Sequence, residues 1–420
     1  MLALPLQSEQ HPGPFLLVAS GQVAAYLAAV WAVWNGGSSR RLVIGIAAVA
    51  LIMRVPVVLA PPRLSSDVYR YVWDGRVAAA GINPYRYVPA DPHLQPLRDT
   101  AIFPHINRAG TAVTIYPPVA QGIFLAVTRF GQSVTVIKAA MVGFEALTFA
   151  LLLVLLAGSG LPLGRVAVYA WHPLPLWEFA GSSHIDAALI ALVAAALCAA
   201  RYRREVLAGV LIAAAVLTKL YPAVLLPALY RRWNWRMPAA FAAAVVIAYL
   251  PFVGVGRQVL GFLPGYAGEE GFDAGGAGFY LLAVLRHVPG LGGLSGRAYL
   301  LAALAVMAGL GVAAALGRRS TPPRLGDATV LAAAFTVLLS PHYAWYFAWL
   351  IVFACVVRSF ALLWLTNACL LLYLVPIGSH IVRDHHRLLI ETLIYAPFAG
   401  LAVADLWYHR RHHRPGTRSP

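Results

Sequence analysis

The sequence carries very little charge for its length. Only 11% of its 420 residues are charged, whereas 60% are hydrophobic. Because a water-exposed surface needs about a quarter charged residues, this composition excludes an ordinary soluble globular protein. Apolar runs long enough to cross a bilayer, about 20 residues each, recur along nearly the whole chain. We therefore predict an all-α polytopic membrane protein.

Cysteine is equally scarce. The three cysteines, Cys198, Cys355 and Cys369, all lie within apolar runs. They form no C-x-x-C pair, so the sequence indicates neither a thiol metal site nor a disulfide framework. Basic residues are also absent before Arg40. The first apolar run, residues 15–34, therefore lacks the basic segment of a cleaved signal peptide and is expected to remain as a helix.

Arginine dominates the charge that is present and gives the chain an orientation. The net charge is +16, but the basic clusters at Arg40, Arg201 and Arg318 are short turns between apolar runs. Topology and anionic lipid explain them better than a nucleic-acid partner, which we do not expect. The positive-inside rule places these turns and the basic tail, residues 409–420, in the cytoplasm. The loops at residues 61–116 and 254–297 are then external, and they face the periplasm if the host is bacterial.

Acid is the scarcest charge, and two of the 16 carboxylates, Asp67 and Asp74, follow the second apolar run closely. Ser66 is a suitable N-cap and Gly81 a suitable end, so this stretch predicts a short helix outside the bilayer. On such a helix both acids share one face, with Tyr71 between them. A solvated amphipathic connector is the alternative, and the scarcity of acid elsewhere argues against it.

Other polar residues interrupt apolar runs at or just below the predicted external surface. Polar side chains at membrane depth are costly and are often functional. Each one alone could be an interhelical hydrogen bond, but together on one side of the membrane they favour a site. Together with Asp67 and Asp74 the predicted set comprises Arg70, Tyr71, Tyr85, His184, Asp186, Lys219, His342, His380 and Arg383.

Several of these residues belong to motifs that occur in a fixed order. The motifs are S-D-V-Y-R-Y-V-W-D-G-R, I-N-P-Y, I-Y-P-P, F-A-G-S-S-H-I-D-A, L-T-K-L-Y-P and L-S-P-H-Y. The set resembles the multi-span glycosyltransferases of the GT-C superfamily, and most of all the polyprenyl-phosphate-mannose-dependent mannosyltransferases and their bacterial relatives. The resemblance covers residues 42–346, and it is carried by the order of the motifs because no single motif is diagnostic.

The resemblance implies a fold and an activity. The fold is a GT-C-like bundle of about 13 transmembrane helices. The chain is long enough to form it as a single domain, residues 1–420. Its long first external loop, residues 61–116, carries a catalytic acid, which by position is Asp67. The activity is transfer of a hexose, expected to be mannose, from a polyprenyl-phosphate sugar to a lipid-linked or glycan acceptor on the external face of the membrane. The expected membrane is the bacterial inner membrane.

Many members of the superfamily have a second acid next to the first, and this chain does not. Ser65 and Ser66 precede Asp67, so a D-x-D arrangement is absent. We therefore expect no cofactor and leave a divalent metal ion as an open alternative.

The expected reaction needs a base for the acceptor hydroxyl and cations for the lipid phosphate. We assign the base to Asp67 and the phosphate to Lys219 or Arg383, with His342 and His380 as second choices. Asp74 is two helical turns, roughly 10 Å, from Asp67, whereas a retaining nucleophile must lie within about 5 Å. Inversion is therefore expected.

The aromatic residues of the first loop, Tyr69, Tyr71, Trp73 and Tyr85, suit a sugar-binding wall. Aromatic residues at membrane interfaces also serve as anchors, so this role stays open. Two other functions remain as alternatives. A transporter or flippase would commonly show two related halves and broken helices, which the sequence does not clearly show. An enzyme of the same superfamily could transfer a pentose or an aminosugar instead.

Overall fold

The computed structural model describes residues 12–34, 38–269, 278–317, 322–375 and 385–412. Every regular element within these ranges is a helix, which confirms the predicted all-α class. Six of the helices are long and apolar enough to cross a membrane: Gly13–Val33, Arg40–Leu59, Val134–Gly158, Arg236–Leu260, Gly296–Leu316 and His385–Tyr408.

The α-helices follow the chain in this order: α1 Pro12–Val33, α2 Arg40–Leu59, α3 Asp67–Ala79, α4 Pro118–Thr128, α5 Val134–Gly158, α6 Ala167–Ala170, α7 Pro173–Pro175, α8 Asp186–Arg201, α9 Glu205–Val216, α10 Leu226–Leu229, α11 Arg236–Tyr249, α12 Leu263–Glu269, α13 Tyr280–Arg286, α14 Gly296–Leu316, α15 Leu325–Leu339, α16 Leu350–Val356, α17 Phe360–Ala368 and α18 His385–His412. Short 3-10 helices connect them at Pro92–Leu97, Phe103–His105, Leu163–Val166, Tyr221–Leu225, Leu250–Leu260, Ala344–Phe347 and Cys369–Leu374.

One apolar run does not form a continuous span. The sequence of residues 165–181 predicts a membrane-spanning helix, but this part of the chain is a series of short helices that ends in a π-helix, Leu176–Gly181. Pro173 and Pro175 explain the breaks, because proline has no N–H and clashes with the preceding turn. The total of about 13 crossings, counted at about 20 apolar residues each, therefore stays a prediction.

Helices α5, α8, α9 and α11 pack side by side in the bundle. Helix α8 lies between α5 and α9, and α9 packs along α11. The alanine-rich sequence of α8 keeps it almost wholly buried, since small side chains let neighbouring helices approach closely. Helices α9 and α11 also approach closely at Gly209, because a Cβ there would lie 2.4 Å from the backbone oxygen of Met237 in α11.

Two buried cations hold α2 against α5. Arg54 Nη2 lies 2.5 Å from Glu145 Oε1, and Arg54 Nη1 also donates to the Ala170 carbonyl at 2.9 Å. Lys138 Nζ donates to the Val57 carbonyl at 2.8 Å, at the last turn of α2. These charges therefore have structural partners, and they fix the point at which the chain leaves α2 for the first loop.

Helix α3 confirms the predicted helix after Ser66. Ser66 occupies the N-cap position without a side-chain cap bond, and Ser65 Oγ instead accepts the Asp67 N–H at 3.2 Å. The chain turns away at Gly81, whose φ of +76° suits glycine. Helix α3 packs on α4, and this contact holds Asp67 at the start of α3 in the interior of the protein.

Candidate active site

Two cavities meet at the first residue of α3. The larger has a volume of about 460 Å³, and we call it the apolar cavity. The second has a volume of about 420 Å³, and we call it the polar cavity. Both volumes are typical of small-molecule sites. The apolar cavity is lined largely by Leu220, Val224, Leu260, Leu263, Phe335 and Leu339. The polar cavity is lined in part by Ser65, Ser66, Tyr343, Tyr373 and Arg387.

Six residues line both cavities and so form their junction: Asp67, Asn107, Arg108, Tyr266, His342 and Trp345. Within the described residues, Asp67 is the sole carboxylate that lines either cavity. A group that must act on molecules bound in both cavities would have to lie at this junction.

The Asp67 carboxylate is held from one side and partly open to the cavities. Its side chain is 24% exposed, and Asn107 Nδ2 donates to its Oδ1 at 3.0 Å. Burial raises the pKa of the Asp67 carboxyl, and the positive charge of Lys219 opposes part of that rise. A raised pKa makes the ionised carboxylate a stronger base than an ordinary aspartate.

Lys219 brings a positive charge to the wall of the apolar cavity. Its Nζ lies 2.6 Å from Asp186 Oδ2 and 4.5 Å from the centre of the Tyr346 ring. The other oxygen of Asp186, the first residue of α8, accepts a hydrogen bond from the Tyr221 hydroxyl at 2.9 Å. Asp186 is completely buried, so it holds the ammonium group without itself lining either cavity.

Arg70 and Asp74 form a network beside the apolar cavity. Arg70 Nε donates to Asp74 Oδ1 at 2.8 Å, and both Arg70 Nη atoms donate to the Ala112 carbonyl at 3.2 Å. Asp74 Oδ2 accepts from Thr114 Oγ1 at 2.5 Å and from Gln121 Nε2 at 3.1 Å. Arg70 lines the apolar cavity, whereas Asp74 is buried outside the lining of both cavities. The Asp74 contacts tie the loop to α3 and α4.

Tyr85 is the one member of the predicted aromatic wall that lines a cavity, and its hydroxyl donates to the Tyr116 carbonyl at 2.7 Å. Tyr71 is completely buried in the core. Tyr69 and Trp73 also lie outside the lining of the two cavities. Tyr116 of the same loop also lines the apolar cavity. Most of the aromatic lining comes from other parts of the chain and includes Tyr221, Tyr249, Tyr266, Tyr343, Trp345 and Tyr346.

His184 lies directly behind Asp67 and is completely buried. Its ring stacks on that of Trp345, with the centroids 3.9 Å apart. His184 Nδ1 is 3.8 Å from Asp67 Oδ2, and its Nε2 is 3.4 Å from Glu178 Oε2. The structure therefore places His184 next to the carboxylate and away from the cavity lining.

His342 also lines both cavities. Its Nδ1 accepts a hydrogen bond from Arg387 Nη2 at 2.6 Å, and Arg387 Nε donates to Glu391 Oε1 at 3.0 Å. The predicted residues His380 and Arg383 lie outside the described part of the chain.

Comparison with known protein families matches residues 9–235 to the family model described as alpha-(1->6)-mannopyranosyltransferase, N-terminal domain. This region is more than half of the 420 residues. The chain belongs to this family. The match confirms the resemblance to GT-C mannosyltransferases, and with the long apolar helices it makes the protein an integral membrane glycosyltransferase. No curated protein matches the chain.

The part that matches the mannosyltransferase family supplies one side of the site, with Asp67, Asn107, Arg108 and Lys219. Other lining residues come from beyond that part and include Tyr266, His342, Trp345 and Arg387. The cavities are therefore built from both halves of the chain.

Sequence reasoning missed four residues of the site. Asn107, Arg108 and Arg387 line one or both cavities, and Glu178 lies next to His184. Glu178 could have been found, because it is an acid inside an apolar run, the signal that singled out Lys219. Asn107 and Arg108 lie in a polar loop in which no pattern distinguishes them from their neighbours. In the described part of the chain, no group of three or more His, Cys, Asp or Glu residues could hold a metal ion.

Proposed function

We propose that this protein transfers mannose from a polyprenyl-phosphate donor to a hydroxyl group of a lipid-linked or glycan acceptor, with inversion at the anomeric carbon. The observation that carries the proposal is the position of Asp67 at the junction of an apolar and a polar cavity. Membership of a mannosyltransferase family supports mannose as the sugar.

The donor binds in the apolar cavity. An isoprenoid chain can pack against Leu220, Val224 and Phe335 in its walls. This binding is favourable because apolar surface is removed from water. The phosphate lies towards Lys219 and Arg108, because an ammonium and a guanidinium group are the common partners of phosphate oxygens. Tyr346, under the Lys219 ammonium, limits where that charge can lie.

The acceptor binds in the polar cavity, where Ser65 and Arg387 can form hydrogen bonds with sugar hydroxyls. From this side a hydroxyl group can approach Asp67 while the donor occupies the other side. Reacting atoms must come within about 3.5 Å, which a carboxylate shared by both cavities allows.

The reaction is a single displacement. Asp67 accepts the hydroxyl proton, and the acceptor oxygen attacks the anomeric carbon opposite the phosphate. The bond between that carbon and the phosphate oxygen breaks, and its electron pair leaves with polyprenyl phosphate. Lys219 and Arg108 stabilise the charge that develops on the leaving group. The family name specifies an alpha product, so an inverting enzyme would use a beta-linked donor.

The carboxylates near the site support inversion over retention. A retaining mechanism needs a second carboxylate about 5 Å from the first, with access to the sugar. Asp186 is completely buried and bound to Lys219 and Tyr221. Glu178 is also completely buried, on the far side of the His184 ring.

We further propose that the reaction needs no metal ion. The support is the pair of cations, Lys219 and Arg108, at the wall where the phosphate would bind. Mannosyl transfer should then be unchanged after treatment with a chelator and dialysis. Loss of activity that returns with added Mg²⁺ or Mn²⁺ would contradict this part of the proposal.

The site is proposed to face the outside of a bacterial inner membrane, and residues 1–420 to work as one domain. The positive-inside pattern supports this orientation, since the clusters at Arg40 and Arg201 would be cytoplasmic.

The test is transfer by the purified protein in lipid nanodiscs. Polyprenyl-phosphate-mannose is offered beside the corresponding glucose, pentose and aminosugar donors, and the release of polyprenyl phosphate is measured. We expect release from the mannose donor when an acceptor is present, and an alpha-linked product by NMR. Asp67→Asn is the matched control, because it keeps the side-chain shape without a basic carboxylate. Release by this variant at the wild-type rate, or a beta-linked product from a beta-linked donor, would contradict the mechanism.

A further inference from the structure

Three neighbouring polar atoms behind Asp67 are buried and have no hydrogen-bond partner among the described residues. They are Glu178 Oε2, His184 Nε2 and His184 Nδ1. Buried polar groups in native proteins nearly always have partners, so such a group calls for a specific explanation. Here they connect Glu178 to Asp67 through the His184 ring: Glu178 Oε2 is 3.4 Å from His184 Nε2, and His184 Nδ1 is 3.8 Å from Asp67 Oδ2.

Glu178 and His184 are both held in place by other contacts. The Tyr373 hydroxyl donates to Glu178 Oε1 at 2.5 Å, which leaves Oε2 to face His184. The backbone N–H of His184 donates to the backbone carbonyl of Glu178 at 2.9 Å, and the His184 ring stacks on that of Trp345. Neither side chain can turn away without losing its contact with Tyr373 or with Trp345.

The backbone that carries the pair is unusual. Glu178 lies in the π-helix Leu176–Gly181, and Ser183 has a φ of +65°. A non-glycine residue in this region is strained, and both features are typical of functional sites. Together they bring two side chains six residues apart into contact behind the cavity junction.

We propose that Glu178 and His184 are positioning residues that fix the Asp67 carboxylate for the reaction. This inference rests on the proposed function of Asp67 as the base. Burial disfavours the charged form of Glu178, so its carboxyl group keeps a proton and donates it to His184 Nε2. The imidazole then carries its own proton on Nδ1 and directs that N–H at Asp67 Oδ2.

Glu178 and His184 complete the set of residues that orient the Asp67 carboxylate. Asn107 donates to Oδ1, and His184 would donate to Oδ2, so the plane of the carboxylate is fixed from both sides. Hydrogen bonds in an empty active site are often long and shorten when the substrate binds. The pair therefore contributes to the rate of the chemical step and little to substrate binding.

The experiment uses four variants, two that remove the contact and two that restore it. His184→Phe keeps a ring for Trp345 without nitrogen atoms, whereas His184→Asn restores an N–H near the position of Nδ1. Glu178→Met removes both oxygens. Glu178→Gln can still accept from Tyr373 through its oxygen and donate to His184 through its amide nitrogen. His172→Phe is the matched control, because His172 is also completely buried but bonds Thr366 and the Leu174 N–H and lines neither cavity.

We expect kcat to fall roughly a hundredfold in His184→Phe and Glu178→Met, because a small misplacement of a catalytic group has an effect of about this size. KM should stay unchanged for donor and acceptor. His184→Asn and Glu178→Gln should recover most of the rate, and folded His172→Phe should keep the wild-type kcat.

Equal losses in all four variants, or no loss in any, would overturn the positioning role. If His184→Phe does not fold, the two Glu178 variants decide the question by themselves. The proposed function is judged separately in the same assay, because it fails if the wild type releases no polyprenyl phosphate or if Asp67→Asn is fully active.

Discussion

Lys219 Nζ lies 2.6 Å from Oδ2 of Asp186, the first residue of α8. Asp186 is completely buried, whereas the Lys219 side chain is 13% exposed, at the wall of the apolar cavity. An isolated charge would be costly at this depth, and the ion pair with a hydrogen bond from Tyr221 lowers that cost. The arrangement keeps a cation beside the proposed phosphate position when no donor is bound.

Lys219→Met should affect both stability and activity. Removing one member of a buried ion pair leaves the other charge uncompensated, and we expect a loss of about 3–5 kcal/mol in the free energy of unfolding. Transfer should fall roughly a hundredfold, because the developing charge on the leaving group loses an electrostatic partner. Thermal unfolding and donor turnover in nanodiscs measure the two effects.

The double variant Lys219→Met/Asp186→Asn separates the effect on stability from the effect on transfer. It removes both charges, so stability should largely return while transfer stays low. Recovery of transfer together with stability would show that Lys219 matters only for folding.

Asp67 and Asp74 should behave differently although they lie on one helix. Asp67→Asn should lower kcat about a hundredfold or more, because the amide cannot accept the hydroxyl proton. Asp74→Asn should instead lower stability by about 1–3 kcal/mol, because an amide keeps one accepting oxygen whereas the buried carboxylate accepts from Arg70 with one oxygen and from Thr114 with the other. The amount of folded protein and the rate per folded molecule must be measured separately. A large fall in kcat for Asp74→Asn alone would move the catalytic role to Asp74.

The sequence was sufficient to predict the helix that carries Asp67. A serine pair, one acid and a later glycine are local signals, and local signals determine where a helix begins and ends. The same reasoning placed Lys219 and Asp186 among the polar residues of a site, because charges inside apolar runs are rare. Their direct contact could not be predicted, since it depends on how α8 packs against the chain after α9.

The part of the site that comes from the C-terminal half of the chain was harder to predict. Trp345 and Tyr346 lie just after the L-S-P-H-Y motif, of which only the histidine was assigned a role, and nothing local indicates that Trp345 would stack on His184. The aromatic residues of the first loop were predicted to line the site, but Tyr71 is in the core. Amphipathic aromatic residues suit a cavity, an interface and a core equally well, and tertiary packing decides among them.

The proposed orientation predicts that the first loop and the turn after α8 are on opposite sides of the membrane. Gln95 and Arg203 are exposed, so cysteines placed there should be accessible to reagents. The native cysteines are buried and should react slowly. In cells, an impermeant maleimide should label Gln95→Cys before lysis and Arg203→Cys only after it. Labelling of both before lysis would exclude this topology.

The pH dependence of transfer should reflect Asp67. A base must be ionised to accept a proton, so activity should be present above its pKa and lost as the pH falls through it. Burial raises that pKa, so the acid limb of kcat/KM should lie above about 4, the value for an ordinary aspartate. The hydrogen bond from Asn107 opposes the rise. Asn107→Leu should therefore move the limb to still higher pH. A limb at or below pH 4 in the wild type, or a shift to lower pH in Asn107→Leu, would mean that Asp67 is not the titrating base.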